Sequence, residues 1–167
     1  MIGQQLCECL DNLPVLTALY LNFSESEMSP FAWKVFSQGS MLPSLQHLYL
    51  DRCKVSVKDF SRFVLKHCTT LLRLFWWDMC LVDGSLEELR GFFATLRRSS
   101  KLEYLELLYL YLDEDPVEFL STSQAIGEDL EDEPEYVWVT HSHVVMFEGT
   151  HEVLDGLEMM GQCMRIT

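Results

Sequence analysis

The histidines towards the C-terminal end are one group whose types and spacing could carry chemistry. His141 and His143 stand two residues apart, so they share one face of a predicted strand, and His151 and Glu152 follow. A turn at Gly149 would bring the later pair back over the first and supply three protein ligands for zinc. Histidines on a half-exposed edge strand are more common than such a site. We therefore expect no bound metal.

The carboxylates of Asp113, Glu114 and Asp115 are a second group, which could act as a general acid and base. They precede a predicted helix, however, and acids in that position stabilise the positive end of the helix dipole. No serine or cysteine stands in a recurring nucleophile motif, and the sequence has no glycine-rich phosphate loop. The sequence thus predicts a protein that is not an enzyme and needs no cofactor.

A repeated spacing of apolar residues predicts the elements that would position any site. From Leu45 to Val55, apolar side chains follow one another at intervals of three, two, three and two residues, the spacing of a leucine-rich repeat. One copy begins 29 residues earlier, one 26 residues later and one a further 31 residues on. The apolar positions are Leu16, Leu19 and Leu21; Leu45, Leu48, Leu50, Cys53 and Val55; Leu71, Leu74, Trp76, Met79 and Leu81; and Leu102, Leu105, Leu107, Leu110 and Leu112. Each copy predicts a short strand and a turn back into the core.

A helix-start signal follows each predicted strand. The signals are Ser29 with Pro30, Ser56 with Asp59, Ser85 with Glu88, and Asp115 with Pro116 and Glu118. This alternation predicts an α/β leucine-rich-repeat solenoid, a short horseshoe of about four parallel strands with outer helices, of the ribonuclease-inhibitor-like class. Leu48, Leu74 and Leu105 should then stack in register in one core.

Three segments follow from these patterns. The predicted repeat array occupies residues 1–120 and begins in the middle of a repeat, with no polar terminal cap ahead of it. Residues 121–135 predict an acidic loop, because six acids and no base lie between positions 128 and 135. Residues 136–167 predict a strand and then an amphipathic helix beginning at Thr150, packed on the end of the array.

The formal charge of −14 is distributed unevenly. Residues 1–101 contain ten acids and eleven bases, whereas residues 102–167 contain sixteen acids and a single base, Arg165. Such acidity disfavours nucleic acid or an anionic membrane there, and it favours a basic protein partner or simply solubility. Solvation is the more common explanation of an acidic segment. No apolar run approaches the length of a membrane span of about 20 residues.

The cysteines indicate a reducing compartment. They stand mostly at apolar positions and lack the spacing of a zinc finger, at Cys7, Cys9, Cys53, Cys68, Cys80 and Cys163. This pattern predicts buried free thiols. The N-terminal residues also lack the basic start and apolar stretch of a signal peptide. We therefore expect the protein in the cytoplasm or nucleus.

Residues between the strand leucines should face outward on the concave side of the horseshoe. They form three rows: Ala18, His47, Arg73 and Tyr104; Tyr20, Tyr49, Phe75 and Glu106; and Asn22, Asp51, Trp77 and Leu108. Five of these twelve residues are aromatic, and tyrosine, tryptophan and arginine commonly anchor protein interfaces. The predicted partner-binding residues are Tyr20, His47, Tyr49, Asp51, Arg73, Phe75, Trp77, Tyr104 and Glu106.

Two alternatives to a binding face remain open. The rings could instead be packing residues, covered by the acidic C-terminal segment or by a neighbouring molecule. The chain could also be a truncated or vestigial repeat fragment that self-associates through its uncapped first repeat and has no catalytic role.

The segments LPSLQHLYLDRCKVSVKDFSRFVLKHCTTL and DMCLVDGSLEELRGFFATLRRSSKLEYLEL resemble the repeats of filamentous-fungal leucine-rich-repeat proteins, many of which are F-box proteins. The resemblance covers about residues 13–120. It implies a role in recruiting substrates to a ubiquitin ligase through the repeats. The sequence departs from that family in having no F-box helical module before the repeats.

Overall fold

A computed structural model of the chain describes residues 2–23, 30–39, 42–113, 115–119 and 144–166. Within these ranges, eight strands form an open sheet accompanied by five helices. The helices are α1 (Ile2–Asp11), α2 (Pro30–Gly39), α3 (Val57–His67), α4 (Leu86–Ser99) and α5 (Thr150–Cys163). The strands are β1 (Ala18–Asn22), β2 (His47–Asp51), β3 (Lys54–Ser56), β4 (Arg73–Val82), β5 (Tyr104–Leu112), β6 (Asp115–Phe119), β7 (Val144–Glu148) and β8 (Met164–Ile166). The predicted α/β class is confirmed.

Strands β1, β2, β4 and β5 lie side by side and parallel. Leu48 pairs with Leu74, and Leu74 pairs with Leu105, so the predicted register of the core leucines is confirmed. All three of these side chains have no exposed surface. Strand β3 adds a short parallel segment beside β4. The leucine spacing therefore specified both the direction and the alignment of these strands.

The helices pack one against the next and cover the leucine-bearing face of the sheet. Aromatic rings join the two layers. Trp76 of β4 contacts Phe60 of α3, with 4.5 Å between ring centroids, and Phe92 of α4, at 5.8 Å. No helix in the described part of the chain is both long enough and apolar enough to cross a membrane.

Serine caps set the first residues of two helices. The Ser56 hydroxyl accepts a hydrogen bond from the Asp59 backbone N–H at 3.1 Å, so α3 begins at Val57. Ser85 and Glu88 bond to each other's backbone N–H groups, forming the predicted capping box of α4. These two helix starts confirm the sequence prediction.

A left-handed residue follows the third outward position of each of three strands. Arg52, Asp78 and Tyr109 have φ angles of 53°, 51° and 54°. This conformation turns the chain so that the next side chain points into the core. Those next residues, Cys53, Met79 and Leu110, are only 1%, 1% and 2% exposed. The predicted turn back into the core is thus present.

The prediction of a helix beginning at Asp115 was wrong. Residues Asp115–Phe119 form strand β6, which runs antiparallel to β5 and also pairs with β8. Val117 and Phe119 alternate with exposed or half-exposed neighbours and are fully buried. This period of two outweighed the acid and proline that resembled a helix start.

The C-terminal elements lie along the edge of β5 that faces away from β4. Strand β7 pairs antiparallel with β5, and α5 packs against α4. The helix begins at Thr150, as the sequence predicted. The predicted acidic loop at 121–135 and residues 136–143 of the predicted strand lie outside the described residues.

Candidate functional site

The outward-facing side chains of β1, β2, β4 and β5 align into the three predicted rows. Strand register pairs His47 with Arg73 and Arg73 with Tyr104 in the first row. It pairs Tyr49 with Phe75 and Phe75 with Glu106 in the second row. The third row follows the same register. The structure therefore brings all nine predicted site residues to one face of the sheet, which we call the outward face.

The rings of the outward face form a continuous aromatic ladder, defined here as Tyr20, Tyr49, Phe75 and Tyr104. Successive ring centroids are 6.1, 4.2 and 4.9 Å apart. The Tyr49 and Phe75 rings are stacked, with an interplanar angle of 10°. Trp77 stands at 81° to Phe75, with its ring centroid 6.3 Å away. The nearly perpendicular rings of Phe75 and Trp77 have the edge-to-face geometry that aromatic pairs prefer.

Glu106 binds two side chains of the outward face. The Trp77 indole N–H donates to Oε1 at 3.1 Å, and the Tyr104 hydroxyl donates to Oε2 at 2.8 Å. Burial, the hydrogen bond to Glu106 and the negative charges of Glu106 and Glu148 raise the pKa of Tyr104 to about 12, although Arg73 opposes the rise. The Tyr104 hydroxyl therefore stays protonated and remains a donor at neutral pH.

Asp51 requires a correction, because it was predicted as an exposed contact residue. The residue is only 8% exposed. Its carboxylate accepts hydrogen bonds from the Tyr20 hydroxyl at 3.2 Å and from the Asn22 amide, and it forms an ion pair with Arg52 at 3.5 Å. Asp51 therefore orients Tyr20 at the end of the aromatic ladder.

Exposure differs among the remaining predicted residues. Tyr20 is 54% exposed and Arg73 is exposed. The Arg73 guanidinium carbon lies 5.9 Å from the centroid of the Tyr104 ring, a cation–π distance. The other six are half-buried: His47, Tyr49, Phe75, Trp77, Tyr104 and Glu106. The rings thus keep part of their surface open to contact.

Two further residues of the outward face were missed by sequence reasoning. Strand β7 pairs Glu148 with Tyr104 and Met146 with Glu106, which extends the first and second rows by one strand. Val145 and Phe147 are buried, so Met146 and Glu148 project to the opposite side. The alternation in VVMFE was readable as a strand, but it did not reveal that the strand would pair with β5.

The residues considered for catalysis or metal binding do not assemble into such a site in the described part of the chain. His141, His143 and Glu114 lie outside it. Within the described ranges, no group of three histidine, cysteine, aspartate or glutamate residues could hold a metal ion. Asp113 accepts a hydrogen bond from the Asp83 backbone N–H at 3.1 Å, a contact between neighbouring turns.

All six cysteines are free thiols, and four of them are buried. Cys9 is exposed, so the prediction of burial fails at that position. Burial raises the pKa of the Cys53 thiol to about 12, which keeps it protonated and a poor nucleophile at neutral pH. Cys53 is therefore a packing residue beneath the turn at Arg52.

In comparisons with protein-family models, curated proteins and solved structures, none matched the chain.

Proposed function

We propose that this chain is a leucine-rich-repeat solenoid that binds a protein partner through its outward face. The observation that carries the proposal is the aromatic ladder across four parallel strands. Half-buried rings with matched hydrogen-bond partners resemble the centre of a protein interface, where aromatic residues contribute much of the binding energy. The role consists of binding without catalysis.

Two further observations support this choice. The outward rings contact one another, whereas the core rings of α3 and α4 contact the opposite face of the sheet. The polar atoms of Trp77 and Tyr104 both donate to Glu106, so the face is already ordered before a partner arrives. A pre-ordered surface loses less conformational entropy on binding.

The resemblance to fungal F-box and leucine-rich-repeat proteins suggests the biological setting. We propose substrate recruitment of the kind those repeats perform, in the cytoplasm or nucleus. Six free cysteines support a reducing compartment.

The test is replacement of Phe75 and Trp77 by alanine together. The variant should keep its far-UV circular dichroism and lose about 2 kcal/mol or more of binding to the partner, because central aromatic anchors dominate interface energy. Binding is measured on a partner first captured from a fungal extract by the wild-type chain. A variant that unfolds, or one that keeps wild-type affinity, would contradict the proposal.

The matched control is the double variant Leu13→Ala and Val15→Ala. These side chains are 46% and 79% exposed and precede β1, away from the stacked pair of Tyr49 and Phe75. The control removes two apolar side chains but should leave partner affinity unchanged.

A second candidate function is self-association at the β1 end. Within the described residues β1 pairs only with β2, and Leu13, Val15 and Tyr20 are exposed nearby. An open strand edge beside apolar side chains is a known route to pairing between copies. Sedimentation velocity at increasing concentration tests this candidate, and the Leu13 and Val15 double variant should then remain monomeric.

A further inference from the structure

Glu106 carries a negative charge on strand β5 of the outward face, and within the described residues its side chain has no cationic partner. Its two donors, the Trp77 indole and the Tyr104 hydroxyl, are both neutral. The ion pairs formed among the described residues do not include Glu106. By contrast, Asp51 at the other end of the aromatic ladder is paired with Arg52. The charge of Glu106 therefore remains available to a cation from outside.

Three aromatic rings surround this carboxylate. Phe75 is the residue directly opposite Glu106 in the strand register. The Trp77 ring is nearly perpendicular to the Phe75 ring, and the centroids of the Tyr104 and Phe75 rings are 4.9 Å apart. Aromatic faces carry partial negative charge and attract ammonium and guanidinium groups. A carboxylate among such rings is a cation-binding arrangement.

The electrostatic potential near the Tyr104 hydroxyl is negative and so also favours a cation. Two carboxylates, those of Glu106 and Glu148, raise the pKa of Tyr104, and a single guanidinium, that of Arg73, opposes them. The net charge around the Tyr104 hydroxyl is therefore negative. Arg73, whose guanidinium already lies over the Tyr104 ring, shows that this ring can bind a cation.

We propose that the outward face recognises a lysine or arginine side chain of its protein partner, which packs against Phe75, Trp77 and Tyr104 and pairs with Glu106. The inference rests on the proposed binding function. Charge complementarity between Glu106 and a basic side chain makes a basic segment of the partner the expected ligand. An acidic or wholly apolar segment is the alternative that the test must separate.

The experiment selects binders from a displayed library of random linear peptides on the full chain. Peptides that also bind the Phe75 and Trp77 double variant are discarded. The remaining sequences should share a lysine or arginine at a constant position, and their affinity should fall as salt concentration rises. In each selected peptide, replacing that basic residue with norleucine should weaken binding to the wild-type chain by about ten-fold or more.

A matched pair of protein variants tests the carboxylate itself. Glu106→Gln keeps an acceptor oxygen but removes the charge, and it should weaken binding of the selected peptides by about ten-fold or more. Glu87→Gln makes the same change on α4, where the side chain is 85% exposed, and should leave affinity unchanged. Circular dichroism confirms that both variants fold. The norleucine peptides supply the same test without altering the protein.

The outcomes separate the inference from the proposed function. Selected peptides that lack a shared basic residue, or that lose less than two-fold with norleucine, overturn the cation inference while the dependence on Phe75 and Trp77 still supports binding at this face. If no peptide depends on Phe75 and Trp77, the proposed function fails and the inference fails with it.

Discussion

Leucine occupies nearly every position on the helix-covered face of the parallel strands. The outward face instead contains different side chains that hold one another in place by stacking and hydrogen bonds. Leu48, Leu74 and Leu105 stack in register beneath the helices, and each is fully buried. On the outward face, Tyr49 stacks on Phe75, and Glu106 links strands β4 and β5 by accepting a hydrogen bond from Trp77.

The contrast shows what each face requires. Burial of apolar area stabilises the covered face, and it depends mainly on volume and on the alternation of side chains along the strand. The outward face contains polar groups whose hydrogen bonds hold the half-buried rings in place. Such an arrangement contributes less to folding than the core does, which is why we assign the proposed binding to this face.

The largest expected effect comes from breaking the covered face at its centre. Leu74→Asp should abolish cooperative unfolding, because a lone buried carboxylate costs several kcal/mol against a total stability of about 5 to 15 kcal/mol. Thermal unfolding followed by circular dichroism measures the effect. Arg73→Asp is the control, since Arg73 is the exposed neighbour on the same strand. Equal melting temperatures for the two variants would refute the assignment of the two faces.

A smaller effect on the free energy of unfolding is expected at two glycines of α5, one close to a neighbouring ring and the other surrounded by open space. A Cβ atom added at Gly156 would collide with the Phe147 ring, whereas one added at Gly161 meets no atom within 4 Å. Gly156→Ala should therefore lower the free energy of unfolding by about 1 to 3 kcal/mol. Gly161→Ala should raise it by about 0.5 to 1 kcal/mol through helix propensity. Urea titration measures both, and a stabilising Gly156→Ala would contradict the packing of α5 against β7.

The repeated leucine spacing was sufficient to predict the parallel register and the three outward rows. That success has a physical cause: in a strand with one covered face, a shift by one residue would expose every leucine. Sequence also predicted the capped starts of α3 and α4, because serine caps act within three residues.

Features that depend on distant contacts were not predictable in this way. The burial of Asp51 results from Tyr20 and Asn22 on β1, about 30 residues away along the chain. The strand at Asp115–Phe119 exists because β5 and β8 pair with it, and the local acid and proline signals gave the opposite assignment. Similarly, Met146 and Glu148 join the outward face only through the pairing of β7 with β5.

The smallest expected effect is a dependence of stability on pH that arises from His67, a buried residue of α3. His67 is 2% exposed; its Nε2 accepts the Leu42 backbone N–H at 3.2 Å, and its Nδ1 lies 2.8 Å from the Phe63 carbonyl oxygen. Both contacts suit the neutral ring with its proton on Nδ1, since a proton on Nε2 would face the Leu42 N–H. Burial, assisted by the charge of Lys66, lowers the pKa of His67 below its ordinary value of 6.5.

Below pH 6.5 the unfolded chain therefore binds a proton at His67 more readily than the folded chain does. The stability that the neutral ring contributes is complete above about pH 6.5 and is lost as the pH falls towards the folded pKa, by at most about 1.4 kcal/mol per pH unit. Glutamine at this position does not titrate, so urea titrations of the wild type and of His67→Gln isolate this contribution from that of the carboxylates. The stability advantage of the wild type should shrink between pH 7.5 and about pH 5. A constant difference across that range would show that the buried ring does not titrate differently in the folded and unfolded chains.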